Sequence, residues 1–573
     1  MLIAGLYLTA QVSSTQATTY YISSSQGNDT NSGTSMSAPW RKLNKVYFKG
    51  ISASKFVPGD SILLKAGDTF EGTLWYTGAS GTPGARITID RYGTGPNPII
   101  IGDNPSVVWT PVTGHTGIYS GAPIDTFASG ITRIWDMSGC TYRKTNAVGG
   151  DTLDSWLDKM PPKYWGQNSA LNQTNVYLAT IDGNPPGQLR LLQDSGVHLQ
   201  TSVSDYVTVQ NLDIRRMLHG ITADNITGFK VLSNSLQYCF SIGVFFQDNP
   251  KDGEIAYNTT TLGGWTQIYE RTGSNVWIHH NNVAYSTNQL LEITNVGVQI
   301  HGSSELCGIG MEKGVNNVVE FNTISNVAQS VIDFYYESAS EIRYNYAFHC
   351  GTGVVPFGCG LRIHHNIFNV DGGRGISGGH GYDPSKTTGP DTGDILVFNN
   401  IFYGLDGTGG GYGLYSDVTS ADYNTNNILR NNVFVSRNQD TRFIFSKSTN
   451  VNMDCNLYYC TAGTPARWMW NNVDISTFAA YKSASGQDAH SIYANPQFVS
   501  TNPITAADFQ IKFGSPCINA GQNLKLTGLL NSTQAYKDYL GVDIPQGAGS
   551  DIGAFEKTFD SVAPPTELRV IDK

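Results

Sequence analysis

The sequence has few charged residues and no long apolar segment. Asp, Glu, Lys and Arg make up 14% of its 573 residues, and the formal net charge is −10. No run of Lys or Arg occurs, so a nucleic-acid partner is not expected, because binding phosphates needs clustered positive charge. No stretch repeats apolar residues at helical spacing, and none is long enough to cross a bilayer. We therefore expect neither a helical fold nor a membrane partner.

The sequence also lacks the cysteine spacings typical of a metal site. Its eight Cys include no CxxC pair, and no His/Cys cluster suggests zinc, so no metal site is predicted. In a secreted chain, the close pairs Cys350/Cys359 and Cys455/Cys460 could form local disulfides. The alternative interpretation is that these cysteines are free thiols buried inside the fold.

What the sequence does contain is an asparagine that returns at regular intervals. Most of these Asn residues follow one short β-rich run and precede another, and most intervals are 21–24 residues. This period is typical of a solenoid, and stacked Asn side chains can hydrogen-bond into a ladder. Asn also tolerates the left-handed backbone angles of such a turn. The repeated residues are Asn211, Asn234, Asn258, Asn281, Asn322, Asn345, Asn366, Asn400, Asn432 and Asn456.

Two segments near the ends of the chain resemble a known superfamily. Gly27-Asn28-Asp29 through Gly33-Thr34, with Pro58-Gly59-Asp60, resembles the start of secreted right-handed parallel β-helix proteins of the pectate-lyase-like superfamily. The segment from Ser550 to Glu556 resembles their closing segment. The resemblance implies an all-β, right-handed parallel β-helix with an N-terminal cap. It is specific for the fold and weak for the reaction, because this superfamily contains lyases, hydrolases, epimerases and phage tailspikes.

The chain is divided on these patterns into six segments. The short apolar N-terminus resembles a signal peptide, so secretion is expected. Residues 101–200 break the period and predict an inserted lobe. The predicted segments are a signal remnant (1–17), an N-terminal cap with the first coils (18–100), the inserted lobe (101–200), the regular β-helix with a catalytic groove (201–460), C-terminal coils and cap (461–556) and a linker tail (557–573).

Three long intervals between Asn residues predict insertions that wall a groove. They give loops near 285–307, 369–394 and 403–425, all at the same corner of the solenoid. The strands of the groove floor contain Glu270, Glu312 and Asp333, at nearly the same distance from their neighbouring Asn residues. We expect Tyr269, Met311 and Ile332 to point inward and the three acids to point outward as a stack.

Stacked carboxylates repel one another, which favours catalysis, because a glycosidase needs one protonated and one ionised acid. Glu312 and Asp333 are the predicted pair, and Glu270 is predicted to tune them or to activate water. Neighbouring coils about 5 Å apart predict retention of configuration by this pair. The alternative interpretation of the three acids is a solvated acidic ridge or a Ca²⁺ site.

Groups suited to binding sugars occur around the acids. Aromatic rings stack on sugar rings, and cationic side chains bind carboxylate or sulfate groups. Each one alone is a weak signal. The candidate substrate-binding residues are Lys313, Arg271, Tyr335, Tyr336, His301, His349, His380 and Trp265.

The sequence thus predicts a secreted, monomeric enzyme that acts on a polysaccharide, most simply a glycoside hydrolase without a cofactor. A polysaccharide lyase or uronate epimerase is the first alternative. There, Lys, Arg, His or Tyr would remove the proton and the acids would hold Ca²⁺ or balance charge. The second alternative is a non-catalytic carbohydrate-binding solenoid, which would need a groove without converging carboxylates.

Overall fold

The structure is a computed structural model that describes residues 16–558 with internal gaps. The described chain divides into two compact units, Met1–Gln237 with Lys251–Glu254, and Tyr238–Pro250 with Ile255–Lys573. The divisions fall within the strands Ser235–Gln247 and Glu254–Ala256. The segment boundaries predicted from the sequence stay predictions. The residues outside the description are 1–15, 105–107, 122–132, 137–140, 145–151, 161, 163, 167–175, 181–188, 193–194, 262–265, 285–306, 328, 372, 379–392, 407–411, 417–425, 448, 450, 464–466, 531–535 and 559–573.

The first unit contains parallel coils and a separate antiparallel sheet. In the sequence, the helix Asn44–Gly50 comes between the first two parallel strands, which pair directly with each other. The helix Leu153–Asp158 packs Trp156 and Leu157 against the second sheet. The parallel strands are Thr19–Ile22, Ser61–Lys65, Thr69–Glu71, Leu74–Tyr76, Ile87–Tyr92, Ile99–Ile101, Ser195–Leu199, Val207–Gln210, Asp213–Asp224 and Lys230–Leu232. The strands of the second sheet are Asp103–Asn104, Thr110–Pro111, Ile118–Gly121, Arg133–Asp136, Thr141–Lys144, Tyr164–Gly166, Val176–Ala179 and Leu189–Leu192.

The second unit stacks parallel strands in three rows. Row 1 precedes each ladder Asn, row 2 follows it and row 3 completes the coil. Row 1 is Trp277–His279, Val318–Glu320, Glu341–Arg343, Arg362–His364, Leu396–Phe398, Asn427–Arg430 and Val451–Asp454. Row 2 is Thr259–Thr261, Asn282–Ala284, Thr323–Ser325, Tyr346–Cys350, Ile367–Val370, Ile401–Tyr403, Val433–Ser436, Leu457–Cys460 and Ile492–Tyr493. Row 3 is Ile268–Arg271, Ile309–Glu312, Ser330–Ser338, Thr352–Cys359, Arg374–Gly378, Tyr412–Ser416, Arg442–Ser446 and Arg467–Trp470, with Val473–Ile475 added antiparallel.

The predicted asparagine ladder connects rows 1 and 2. Asn322 donates from its Nδ2 to Asn345 Oδ1 at 3.0 Å, and Asn345 donates likewise to Asn366 at 2.9 Å. The same link runs without a break from Asn258 to Asn456. Asn345 and Asn366 therefore lie on neighbouring coils, as predicted, and each ladder residue satisfies buried backbone groups as well as its neighbour.

Two details of the ladder differ from the prediction. Asn211 is not part of it, because Leu212 occupies the position aligned with Asn234, and its backbone N–H donates to Asn234 Oδ1. Asn211 instead binds Asp90. The left-handed backbone angles belong to the residue before each ladder Asn, for example Tyr344 with φ 55°.

The interior of the second unit is apolar and aromatic. Phe368, Phe402, Phe434 and Tyr458 stack on successive coils of row 2 with ring centroids 5.1–5.5 Å apart. The C-terminal segment, with the short 3₁₀ helix Ala506–Phe509, packs back over row 2. The helix Phe478–Ser485 stacks Tyr481 on Trp468 beyond the last coils. Among the described residues, no helix is long and apolar enough to cross a bilayer.

Of the two interpretations of the cysteines, the structure supports free thiols. All seven described cysteines are free, and all except Cys359 are buried. Cys350 ends a row 2 strand, and its thiol donates to the carbonyl of Phe348, whereas Cys359 ends a strand of row 3. Residues this close in the sequence are separated because the coil turns a corner between them. The alternative interpretation, free thiols buried in the solenoid, is correct for most of the described cysteines, and Cys140 lies outside the described residues.

Candidate functional site

Two of the predicted acids lie on the outer surface of row 3. Glu312 ends the strand Ile309–Glu312, and Asp333 lies within the next strand, Ser330–Ser338. Gly310 pairs with Asp333 and Glu312 pairs with Tyr335, so the acids are one coil and two residues apart. Strand spacing and rise place their Cα atoms about 8 Å apart on this diagonal. The acids therefore share a surface but do not stack directly.

Glu312 is held as a carboxylate by three neighbours. Its Oε1 lies 2.7 Å from Lys313 Nζ, and its Oε2 lies 3.3 Å from Arg271 Nε and accepts a hydrogen bond from the Tyr269 hydroxyl. Burial acts to raise the pKa of Glu312, but the hydrogen bonds from Lys313 and Tyr269 and the two positive charges outweigh it and lower the pKa below its ordinary value. Glu312 is therefore ionised at neutral pH.

Asp333 occupies a more enclosed position in the same surface. Its side chain is buried, with 7% exposed, and its Oδ2 accepts a hydrogen bond from the Cys307 thiol at 3.3 Å. Gly310 and Val355 are its partners on the neighbouring strands. A Cβ at Gly310 would lie 2.8 Å from the Tyr269 ring, so glycine allows that ring to cross to Glu312. Glycine at this position thus brings Tyr269 and both acids to one patch.

The predicted outward direction of Glu270 is wrong. Glu270 pairs with Met311, which pairs with the buried Phe334, so its side chain points into the coil and is 0% exposed. Glu270, Glu312 and Asp333 stand 11, 10 and 12 residues before the next ladder Asn. A one-residue change of register moves a side chain to the other face, so only the two acids at even distances share the surface. For the same reason Tyr269 points outward, whereas Met311 and Ile332 point inward as predicted.

Neither oxygen of the buried Glu270 carboxyl group accepts a hydrogen bond of good geometry from the described residues, and only the Gly273 backbone N–H acts on it as a weak donor that lowers its pKa slightly. The backbone of Gly273 lies against it, since a Cβ there would be 2.1 Å from Oε1. Burial, and then the charge of Glu337, raise the pKa of Glu270 well above its ordinary value. Burial therefore favours the protonated form of Glu270. Its side chain is separated from the outer surface, which does not fit a direct contact with substrate.

Aromatic side chains extend the outer surface on both sides of the acids. Phe245 and Tyr269 stack with centroids 5.7 Å apart, and Tyr335 and Phe357 stack at 5.3 Å on the other side. Tyr336 has a left-handed backbone with φ 59°, packs edge-on against Tyr335 and is mostly buried. The alternation of side chains along each strand could have identified Tyr269 and Phe357 as outward-facing residues if the register had been known. Phe357 is only 3% exposed, so the rings that are partly exposed next to Glu312 and Asp333 are those of Phe245, Tyr269 and Tyr335.

Of the remaining predicted residues, one lies away from this patch and three lie outside the described residues. His349 lies on a row 2 strand, and its Nδ1 contacts Asp371 Oδ2 at 2.5 Å. Trp265, His301 and His380 lie outside the described residues, as do large parts of the three predicted loops.

Comparison with known proteins confirms the predicted fold. Residues 219–388 match the family model described as a right handed beta helix region. The XylC protein, solved in complex with xylose, aligns over 94% of this chain and 99% of its own, with a TM-score of 0.55 and 13% identity. At that identity, the likeness concerns the fold.

Two curated proteins match shorter stretches. Lacto-N-biosidase of Bifidobacterium longum is 47% identical over 77 residues, which is 13% of this chain and 5% of the relative. The uncharacterized protein YwoF of Bacillus subtilis is 29% identical over 142 residues, which is 24% of this chain and 27% of the relative. Both matches span well under two thirds of the relatives' lengths. The comparisons and the three rows of parallel strands together identify the chain as a right-handed parallel β-helix protein, the fold shared with pectate-lyase-like carbohydrate-active enzymes.

Proposed function

We propose that the protein is a secreted glycoside hydrolase that cleaves a polysaccharide on the outer surface of row 3. The observation that carries this proposal is the pair Glu312 and Asp333, two carboxyl groups in different environments on one surface between stacked aromatic rings. Hydrolysis of a glycosidic bond needs two such groups, one to protonate the leaving oxygen and one ionised. The local similarity to lacto-N-biosidase agrees with this class of reaction.

The surroundings of the two acids support a different proposed role for each. Glu312 stays ionised because Lys313, Arg271 and Tyr269 hold its oxygens, so it acts as the base or the nucleophile. Asp333 is then the general acid, since it is the other carboxyl group on this patch. The partly exposed rings of Phe245, Tyr269 and Tyr335 offer surfaces on which sugar units can stack, and Phe357 supports Tyr335 from behind. The substrate chain then runs along the axis of the coils.

A polysaccharide lyase or epimerase is the second candidate function. It is favoured by Lys313 and Arg271, two cations on the patch that could neutralise a uronate carboxylate, with the Tyr269 hydroxyl as a proton acceptor beside them. A Ca²⁺ ion does not fit at Glu312, because both carboxylate oxygens already contact cations or a hydroxyl donor. No metal ion is therefore part of the proposed reaction at this patch.

Product analysis tests the proposal directly. The full-length protein is incubated with a panel of neutral and acidic plant and algal polysaccharides, and reducing ends and ultraviolet absorbance are followed. New reducing ends without a growing absorbance support hydrolysis. Absorbance from an unsaturated uronate would move the assignment to the lyase. Binding to the polysaccharides without any cleavage would favour a non-catalytic solenoid.

A further inference from the structure

A cluster of three possible metal ligands lies far along the chain from the acids of the proposed active site. Asp454 ends a row 1 strand, Cys455 follows it, and His490 precedes the row 2 strand Ile492–Tyr493 of the next coil. The ligand atoms of these three residues all lie within 4.8 Å of one another. The sequence did not reveal the cluster, because His490 is 35 residues from Cys455 and only the coil brings them together.

Asp454 already holds the other two residues in place. Its Oδ1 accepts the backbone N–H groups of Cys455 at 2.9 Å and of His490 at 2.7 Å. Its Oδ2 contacts His490 Nδ1 at 2.7 Å. These contacts fix the carboxylate and the imidazole side by side before any ligand is bound.

The Cys455 thiol is the observation that points to a ligand. Its residue is 7% exposed and is not in a disulfide, and no hydrogen bond to its Sγ is found among the described residues. Cys350 and Cys460 differ, since their thiols donate to backbone carbonyls. Cys455 also has a left-handed backbone with φ 56°, and its Sγ lies close to the carboxylate and the imidazole.

We propose that Asp454, Cys455 and His490 bind one divalent transition metal ion of the zinc class. Sulfur, imidazole nitrogen and carboxylate oxygen are the ligands that Zn²⁺ prefers, whereas Ca²⁺ and Mg²⁺ prefer oxygen alone. On binding, the thiol releases its proton to solvent, and the contact between His490 and Asp454 is replaced by bonds to the metal.

The ion would stabilise the packing of the last coil, which contains His490, on the coil that contains Cys455. The asparagine ladder ends here, where Asn456 donates from Nδ2 to Asp488 Oδ1 at 3.2 Å and from its backbone to Ser491 Oγ at 2.8 Å. A metal ion bound by Cys455 and His490 would join the same two coils that these hydrogen bonds join. It stabilises a solenoid end, where strand edges are otherwise open.

The chain contains a matched control. His349 also contacts an aspartate, Asp371, at 2.5 Å, and a cysteine, Cys350, is next to the histidine in the sequence as Cys455 is next to Asp454. The Cys350 thiol turns into the core and donates to the Phe348 carbonyl, so these three groups do not converge. Changing His349 therefore removes a similar His–Asp pair without affecting the proposed site.

The test measures binding of Zn²⁺ and Co²⁺ to the tag-free, full-length protein after treatment with a chelator. We expect one ion per chain, a thiolate-to-Co²⁺ absorption band and a melting temperature raised by zinc. Cys455→Ser should abolish the band, and His490→Ala should weaken binding at least about tenfold, whereas His349→Ala should change neither. The side chain of His490 is 76% exposed, so its variant tests the site even if Cys455→Ser fails to fold. No saturable binding, or binding unchanged in His490→Ala, would overturn the proposal.

Discussion

Glu270 and Glu312 lie on neighbouring coils, but their carboxyl groups are on opposite faces of row 3. Glu270 pairs with Met311 and points into the coil, whereas Glu312 pairs with Arg271 and Tyr335 and points outward. The environments shift their pKa values in opposite directions, up for Glu270 and down for Glu312. One face therefore holds a buried carboxyl group whose protonated form is favoured, and the other holds an ionised carboxylate available to a ligand.

Replacing Glu270 by Met is expected to stabilise the protein at neutral pH by about 1 kcal/mol or more, because a buried carboxyl group without a hydrogen bond of good geometry is removed. The native state keeps the Glu270 proton while the unfolded chain loses it above about pH 4.5, its ordinary pKa. Glu270 therefore lowers stability as pH rises from there towards its raised pKa. Thermal melts should show that the gain in Glu270→Met grows between pH 4 and pH 7.

Glu337→Met is the contrasting variant. Glu337 is also buried, but it accepts hydrogen bonds from Gly314 N, Asn317 Nδ2 and Ser340 Oγ. Removing its oxygens leaves these donors unpaired, so this variant should melt at a lower temperature. If both variants destabilised equally, Glu270 would have partners that the hydrogen-bond geometry does not show.

The sequence could predict the ladder but not the face of each acid. The ladder could be predicted from the repeated Asn residues alone. Asn211 was wrongly included in it, because the residue that occupies the ladder position on that coil is the next one, Leu212. The face of Glu270 depends on whether the turn before the next strand has one residue more or fewer, and side chains alternate with every residue. Contacts between coils, such as that of His490 with Asp454, are also invisible in a sequence whose turns vary in length.

The ladder itself gives a stability test. Asn345→Ala removes the acceptor of Asn322 and the bonds that Asn345 donates to Val319 O, Arg343 O and Asn366 Oδ1. We expect a loss of about 3 kcal/mol or more in the free energy of unfolding, because several buried groups lose partners together. Asn211→Gly is the control, since Asn211 lies outside the ladder and glycine accepts its left-handed backbone. A similar small effect in both variants would contradict a structural role for the ladder.

The two outward acids can be tested one at a time. Glu312→Gln and Asp333→Asn should each lower kcat by about a hundredfold or more, because proton transfer or nucleophilic attack is lost. Glu341→Gln should keep full activity, although Glu341 is another half-buried glutamate that contacts Arg343 and His364, because it lies on row 1. Full activity in either of the first two variants excludes the proposed pair.

The acidic limb of the pH profile should depend on the cations at Glu312. Because Lys313 and Arg271 help to hold the pKa of Glu312 below 4.5, the base stays ionised at and somewhat below that pH. Arg271→Gln removes one positive charge, so the limb should move to higher pH. The measurement is kcat/KM against pH for both proteins. An unmoved limb would mean that another group titrates in it.

The diagonal arrangement of the acids also predicts the stereochemistry. Stacked carboxylates on neighbouring coils would be about 5 Å apart and would favour retention of configuration, as the sequence alone suggested. The register instead places Asp333 beside Gly310, two residues from Glu312, and their Cα atoms are about 8 Å apart on this diagonal. Carboxyl groups separated by roughly 6.5–9.5 Å leave room for a water molecule, which Glu312 would activate while Asp333 protonates the leaving oxygen. We therefore expect inversion, read by proton NMR of the first-formed product. A retained anomer would show that the acids approach each other directly and that Glu312 attacks as the nucleophile.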